Sequence, residues 1–334
     1  MNEDISIYML SYNHKEFIAK AIESIMSQKT QYSYKLYIHD DSSTDGTIEI
    51  IKQYVEKYPD RLIPVFEKSN LYSTQGLTAI NQVMYPYFNG KYIAFCEGDD
   101  YWIDNNKLEM QITYMKNHPE CSYCFTDAIH VDINNSYLGA FYKHYYWKDR
   151  SIIKKLKRDS DFNTEEVLRI DFTPTASGIV TKSAFEYYLT FKYPIDLGLR
   201  LTTTEFGYAH YFNKKTTAYR VGNSSSASGQ ASQSFKKYLN DFYFYHKEIL
   251  NEFNNFTHFK YKNTIDQVMD RKLVLVYIRF LSKENYKKFI HLKAYKELTG
   301  YRKIRYFLKR YFKPLIVNFS FREKMEERGN EKRK

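Results

Sequence analysis

Three short polar clusters in this chain carry residue types that could do chemistry. Glu97-Gly98-Asp99-Asp100 puts three carboxylates within four residues. Charges so close repel one another unless a cation or hydrogen-bond donors compensate them. Hard oxygen ligands of this kind suit Mg2+ or Mn2+, which share their coordination with substrate phosphates. The other two clusters are Asp40-Asp-Ser-Ser-Thr-Asp-Gly46 and Leu10-Ser-Tyr-Asn13. Taken singly, each of these two reads equally well as a polar turn that caps a helix. Other chemistries lack their residues. The nine histidines include no H-E-x-x-H and no spaced Cys/His cluster, so a zinc site has little support. No G-x-G-x-x-G or Walker A run is present, which argues against dinucleotide oxidoreductases and P-loop enzymes. Cys121 and Cys124 form a lone C-x-x-C, read as ordinary half-buried thiols in a reducing cytoplasm.

The elements that must position these clusters follow from periodicity. Short β-rich runs at Ile5–Leu10, Tyr34–His39, Leu62–Phe66 and Tyr92–Cys96 alternate with helix-period segments. The segments are Glu16–Gln28, a helix opened by Thr44-Asp-Gly-Thr47, and Thr78–Tyr85. A β-α-β-α-β-α-β order calls for a mostly parallel sheet with helices on both faces. Right-handed crossovers then bring the strand C-terminal ends to one rim, and the three clusters fall on that rim. Residues 133–160 read as a polar surface insertion. Phe172–Thr181 reads as a turn and a strand, and Tyr208–Arg220 as a hairpin-like pair. A Ser/Gly/Ala/Gln-rich stretch over 222–234 reads as a mobile loop or linker. Helical spacing resumes after it. The expected organisation is a domain over 1–221, the linker over 222–234 and a helical extension over 235–334.

The composition belongs to an ordered chain of 334 residues, 43% hydrophobic and 18% aromatic, with a formal charge of +11. The segment 301–334 holds 12 Lys and Arg against 4 Asp and Glu, and so carries +8 of that charge. Its Tyr301, Tyr306, Phe307, Leu308, Tyr311 and Phe312 interleave with the basic residues. Such a segment suits an anionic cytoplasmic leaflet, or equally a solvated helix face packed on the rest of the chain. No nucleic-acid motif accompanies the charge. No run reaches the length of a membrane span, since Leu273–Ile278 is closed by Lys272 and Arg279 and reads as a buried helix turn.

Four segments together resemble the family 2 glycosyltransferases, which have the A-type nucleotide-sugar-binding fold. They are ISIYMLSYNHKEFIAKAIESIMSQ (5–28), YKLYIHDDSSTDGT (34–47), NGKYIAFCEGDDYW (89–102) and FTPTAS (172–177). The resemblance covers residues 5–221 and is closest to the bacterial subgroup with E-G-D-D-Y-W, which builds O-antigen, capsule and other surface polysaccharides. It implies a UDP-sugar donor, a Mn2+ or Mg2+ cofactor and inversion at the anomeric carbon. Carried over by position, Tyr12 stacks on the base, Asp41 accepts from the uracil imide and Leu10 contacts the base through its backbone. Glu97-Gly98-Asp99 stands where the family has Asp-x-Asp. Asp99 is then the metal ligand, Glu97 reaches the ribose or a metal-bound water, and Asp100 braces the loop. Trp102 is either a wall of the sugar pocket or a rim aromatic that only packs. The general base, counted back from Tyr219-Arg220, is Asp196, whose other reading is a helix cap; Asp171 and Glu205 are the reserves.

Two departures from the family pattern stand out. Gly222 and Ala227 replace a His and a Trp that relatives carry, and Thr202-Thr-Thr-Glu205 replaces an apolar helix turn. The expected acceptor is a polyprenyl-diphosphate-linked saccharide, with the protein peripheral on the cytoplasmic face of the inner membrane. The rival readings are a degenerate sugar-nucleotide-binding protein and a sugar-phosphate nucleotidyltransferase. The latter normally carries a glycine-rich N-terminal loop, and MLSYNHKEF contains no glycine.

Overall fold

The computed structural model describes residues 3–141, 149–170, 173–192, 196–222 and 243–279. In chain order the elements are β1 (Ile5–Ser11), α1 (Ile18–Met26), β2 (Tyr34–Asp40), α2 (Thr47–Lys57), β3 (Leu62–Phe66), α3 (Leu71–Met84), β4 (Tyr92–Phe95), β5 (Tyr101–Trp102) and α4 (Lys107–Asn117). There follow β6 (Cys121–Val131), β7 (Tyr137–Ala140), α5 (Arg150–Lys155), β8 (Ser160–Phe162), α6 (Thr164–Leu168), β9 (Ile179–Thr181), α7 (Lys182–Tyr188), α8 (Asp196–Glu205) and β10 (Tyr208–Arg220). The helical C-terminal part holds α9 (Tyr245–Phe256) and α10 (Lys262–Arg279). Two compact units divide the chain, one of Met1–Gly229 with His246–Thr264, the other of Gln230–Tyr245 with Ile265–Lys334. The helical segment beyond the expected boundary at 221 therefore divides between them.

The sheet of the first unit runs β3-β2-β1-β4-β9-β6-β10-β5, with β7 on β6 and β8 on β10. β1 pairs in parallel with β2 and β4, and β2 with β3. β9 lies antiparallel between β4 and β6, and β10 is parallel to β6. The strands β1, β2, β4, β6 and β10 consequently all end at one rim.

Alternation along β1 shows how the faces are filled. Ile5, Ile7 and Met9 join Ile18, Ala21, Ile22 and Ile25 of α1 and Leu108, Ile112 and Met115 of α4 in one buried cluster. On the opposite face Tyr8 meets Phe88 and Phe95, with ring centroids 5.1 and 6.2 Å apart, and Phe185 of α7 closes on Phe88 and Phe95. Much of the aromatic excess is thus core, where each ring buries a large apolar area.

Two expectations need correction. Tyr208–Arg220 is one continuous strand and not a hairpin: the polar Asn213-Lys-Lys215 stretch is absorbed by register shifts between Phe212 and Thr217. None of its residues takes the positive φ that a tight reversal needs. Cys121 and Cys124 are fully buried rather than half-buried. The Thr202–Thr204 run, which stands in place of an apolar turn, lies fully inside its helix. Each hydroxyl bonds back to carbonyls three and four residues earlier, so three polar side chains fill an apolar position. The linker over 223–234, Asp171, Phe172 and the tail over 301–334 lie outside the described residues.

Candidate active site

The rim is stitched by backbone bonds that continue the ladder past the strand ends. Cys96 N–H donates to Tyr8 O at 3.1 Å and Gly98 N–H to Leu10 O at 2.8 Å. Asp41 N–H donates to Ser11 O at 3.0 Å. Side chains then interlock the first two loops. Asn13, at φ 55°, receives its place from Ser43 Oγ, which accepts its N–H at 2.8 Å, while Asn13 Oδ1 accepts Thr44 N–H at 2.9 Å. Asp40 accepts from the amide and hydroxyl of Ser43, and Asp45 accepts from Lys15 N–H and Thr47 N–H. The Ser and Thr residues of this cluster are therefore turn chemistry, and what they leave open at the surface is Tyr12, 45% exposed.

Asp41 is buried at the rim, and its two carboxylate oxygens accept the amides of Leu71 and Tyr72 at 2.6 and 3.0 Å. It caps the first turn of α3. Each oxygen keeps a second lone pair, so the cap does not exhaust its accepting capacity.

The carboxylate loop is the most charged part of the rim. Asp100, buried, accepts Arg220 N–H at 2.8 Å on Oδ1. Burial pushes its carboxyl well above the usual range, and Asp99 and Glu97 push it further. Glu97 is pushed up to about 7, by burial first and then by Asp99 and Asp196. One of its oxygens, Oε2, is buried without a hydrogen-bond partner. Asp99 stands with His14 Nε2 3.9 Å from its Oδ2, and His14 Nδ1 is a second buried orphan. Negative charge and unsatisfied polar atoms are thus gathered on and beside one loop, a condition that a divalent cation relieves. Among the described residues no three His, Cys, Asp or Glu side chains converge as a ready cage.

Asp196 opens α8 and accepts Leu197 N–H at 3.0 Å. It lies within electrostatic reach of Glu97, of Tyr123 and of Tyr219, whose phenol is held above its usual range by burial and by the carboxylates of Asp100, Glu97, Asp99 and Asp196. Glu205 sits at the far end of α8, where Lys260 Nζ and Tyr261 OH bind it at 2.8 and 2.7 Å, away from the carboxylate loop. Trp102 corrects an expectation. It is 3% exposed, its Nε1–H donates to Ala176 O at 2.9 Å, and its ring belongs to the buried cluster under α1 and α4. It packs, and does not wall a pocket. Three residues of the site were not foreseen: His14, Tyr219 and Arg220. The Tyr-Arg pair serves the sequence reading only as a landmark for counting, and His14 follows the Tyr-Asn pair of the first cluster without a spacing that marks it.

The profile described as Glycosyl transferase family 2 matches residues 6–174. Uncharacterized protein Rv1520 of Mycobacterium tuberculosis is 38% identical over 121 residues, 36% of this chain and 34% of its own. WfgD of Escherichia coli, the UDP-Glc:alpha-D-GlcNAc-diphosphoundecaprenol beta-1,3-glucosyltransferase, is 36% identical over 138 residues, 41% of this chain and 50% of its own. The matched segment thus spans between a third and a half of these relatives. Among solved structures, S. aureus TarS 1-349 in complex with UDP-GlcNAc aligns with a TM-score of 0.57 at 14% identity, over 86% of this chain and 78% of that one; it shares the fold. With the profile covering half of its length, and the same strands and loops carrying the rim, the chain belongs to the family 2 glycosyltransferases.

Proposed function

We propose that this chain transfers a hexose from a UDP-sugar, with inversion and with a divalent cation, to a lipid-linked saccharide in the synthesis of a bacterial surface polysaccharide. The observation that carries the reading is the loop at the strand-end rim that holds Glu97, Asp99 and Asp100 together. An orphaned carboxylate oxygen lies among them and Asp196 is within electrostatic reach. The catalytic domain is taken as 1–221.

Tyr12 offers its exposed ring to the base, Asp41 accepts the uracil imide on its remaining lone pair, and Leu10 lines the base through its backbone. Asp99 would hold the cation, Glu97 serves the ribose side, Gly98 lets the backbone approach closely, and Asp100 braces the loop. Mn2+ or Mg2+, when bound there, stabilises the charge that builds on the departing UDP. Asp196 accepts the proton of the acceptor hydroxyl as that oxygen attacks the anomeric carbon. The WfgD acceptor, a sugar on diphosphoundecaprenol, supports the same acceptor class here. Among the described residues no helix is long and apolar enough to cross a membrane. In this reading the acceptor is reached at the cytoplasmic face by peripheral association, for which the basic tail over 301–334 is suited.

Separate substitutions test the assignment. Asp99→Ala is expected to lose transfer by at least ~100-fold and to become insensitive to EDTA, and Asp196→Asn to lose turnover by ~100- to 10,000-fold with donor binding retained. Full transfer by Asp99→Ala in EDTA removes the cation from the mechanism. Unchanged turnover in Asp196→Asn moves the base elsewhere.

A further inference from the structure

Arg220 ends β10 at the rim, 5% exposed, and reaches two separate loops. Its backbone N–H donates to Asp100 Oδ1 and its Nε–H to the main-chain carbonyl of Asp99, both at 2.8 Å. On the other edge of the guanidinium, Nη1 donates to Asp132 O at 2.8 Å and Ile133 O at 3.2 Å, and Nη2 to Asn135 Oδ1 at 2.9 Å. Those three acceptors belong to the turn between β6 and β7. The turn is itself closed by Asp132, whose Oδ1 accepts Asn134 N–H and Ser136 N–H at 2.8 Å each. The guanidinium carbon stands 4.3 Å from the ring centre of Phe17, so the plane is held as well as its edges.

We propose that Arg220 is a positioning residue that locks the Asp99 backbone to the β6–β7 turn, so that the turn and the carboxylate loop hold one fixed geometry for the donor diphosphate. The hydrogen bonds of its guanidinium go to the main chain of Asp99 and to a surface turn. A planar fork can bond on opposite edges at once, whereas a lysine ammonium offers its donors from a single point. Replacing Arg220 by Lys keeps the charge beside Asp99 and Asp100 but cannot span Asp99 O and Asn135 Oδ1 together. The inference rests on the proposed role of Asp99.

Asn135 supplies a gentle second handle. It is exposed at φ 65°, so Asn135→Gly removes the acceptor of Nη2 without straining the turn. The experiment is calorimetry of UDP with and without Mn2+ on the full chain, its Arg220→Lys, Asn135→Gly and double variants, with thermal melting of each. Expected is at least a tenfold loss of Mn2+–UDP affinity in Arg220→Lys, with metal-free UDP binding within twofold of wild type, a property that general damage to the fold would not spare. Asn135→Gly is expected to weaken Mn2+–UDP binding about threefold, and the double variant to be no weaker than Arg220→Lys, because one bracket is cut twice. Wild-type Mn2+–UDP affinity in Arg220→Lys, or multiplying effects in the double variant, overturns the inference. If Arg220→Lys does not fold, unchanged affinity in Asn135→Gly overturns it alone. A wild-type protein that binds no Mn2+–UDP sinks the proposed function, and the positioning role with it; normal wild-type binding with an indifferent Arg220 sinks only the positioning role.

Discussion

A Cβ on Gly98 would stand 2.7 Å from His14 Nδ1, 3.1 Å from Ile18 Cδ1 and 3.2 Å from Leu10 O. A side chain there requires the His14 imidazole to shift and crowds Leu10 O, so packing as well as chemistry favours glycine at the middle position of Glu97-Gly98-Asp99. Gly98→Ala should weaken donor binding about tenfold while the melting point moves by only a few degrees, as titration and thermal scans would show. Lys107 poses a different residue-scale case. It is fully buried, makes no hydrogen bond through Nζ, and lies 4.4 Å from the Trp102 ring centre. Burial lowers its pKa from the ordinary 10.5 to about 7. Between those values the unfolded chain binds a proton that the folded chain does not, so stability should rise with pH from about 7 to about 10.5. Lys107→Met should abolish that rise and stabilise the protein by about 1–3 kcal/mol at pH 7, since an unsatisfied buried polar group is removed. Urea titrations at pH 7 and 9.5 would check it. A flat profile in the wild type would contradict the burial of a titrating amine. Neither Lys107 nor Trp102 announces its burial in the sequence, because a Lys and a Trp after an acidic loop look like surface residues.

At the scale of elements, Asp41 joins a loop of the site to α3, since its carboxylate receives the first amides of that helix. Asp41→Ala should therefore cost about 1 kcal/mol of stability as well as donor affinity, whereas Tyr12→Ala should cost donor affinity alone. Chemical denaturation and UDP binding on the two variants separate the effects. The first four strands were legible as short β-rich runs between helix-period segments, with ends differing by a residue at most, because strands buried on both faces read as near-continuous apolar runs. β10 was not. A thirteen-residue strand with an Asn-Lys-Lys bulge has the local signature of a hairpin, and only pairing with the distant β6 reveals its course. Long-range pairing of this kind is what local periodicity cannot carry. For the same reason Arg220 stayed a landmark: its partners lie 85 to 121 residues away in the chain.

Over the whole molecule, charge is unevenly placed. The tail over 301–334 carries +8 of the net +11, while the rim gathers the carboxyl groups of Glu97, Asp99 and Asp100. Each basic residue near an anionic surface contributes about 1 kcal/mol, so removing 301–334 should release the protein from vesicles containing phosphatidylglycerol while leaving it bound to none of neutral composition. Cosedimentation of the full and shortened chains tests this, and undiminished binding after truncation assigns the tail to the protein itself. The three rim clusters were legible, and so was their common rim, because a β-α-β order with right-handed crossovers brings parallel strand ends together; the partners that tie the rim to β10 were not, since they depend on distant strand pairing. The central claim is most directly tested by offering UDP-Glc, UDP-Gal, UDP-GlcNAc and UDP-GalNAc with Mn2+ to synthetic lipid-diphosphate saccharides and determining the product by NMR. The account predicts that one donor is consumed and that the new bond has the anomeric configuration opposite to the donor's. A product that retains the donor's configuration, or no consumption of any nucleotide sugar, would contradict it.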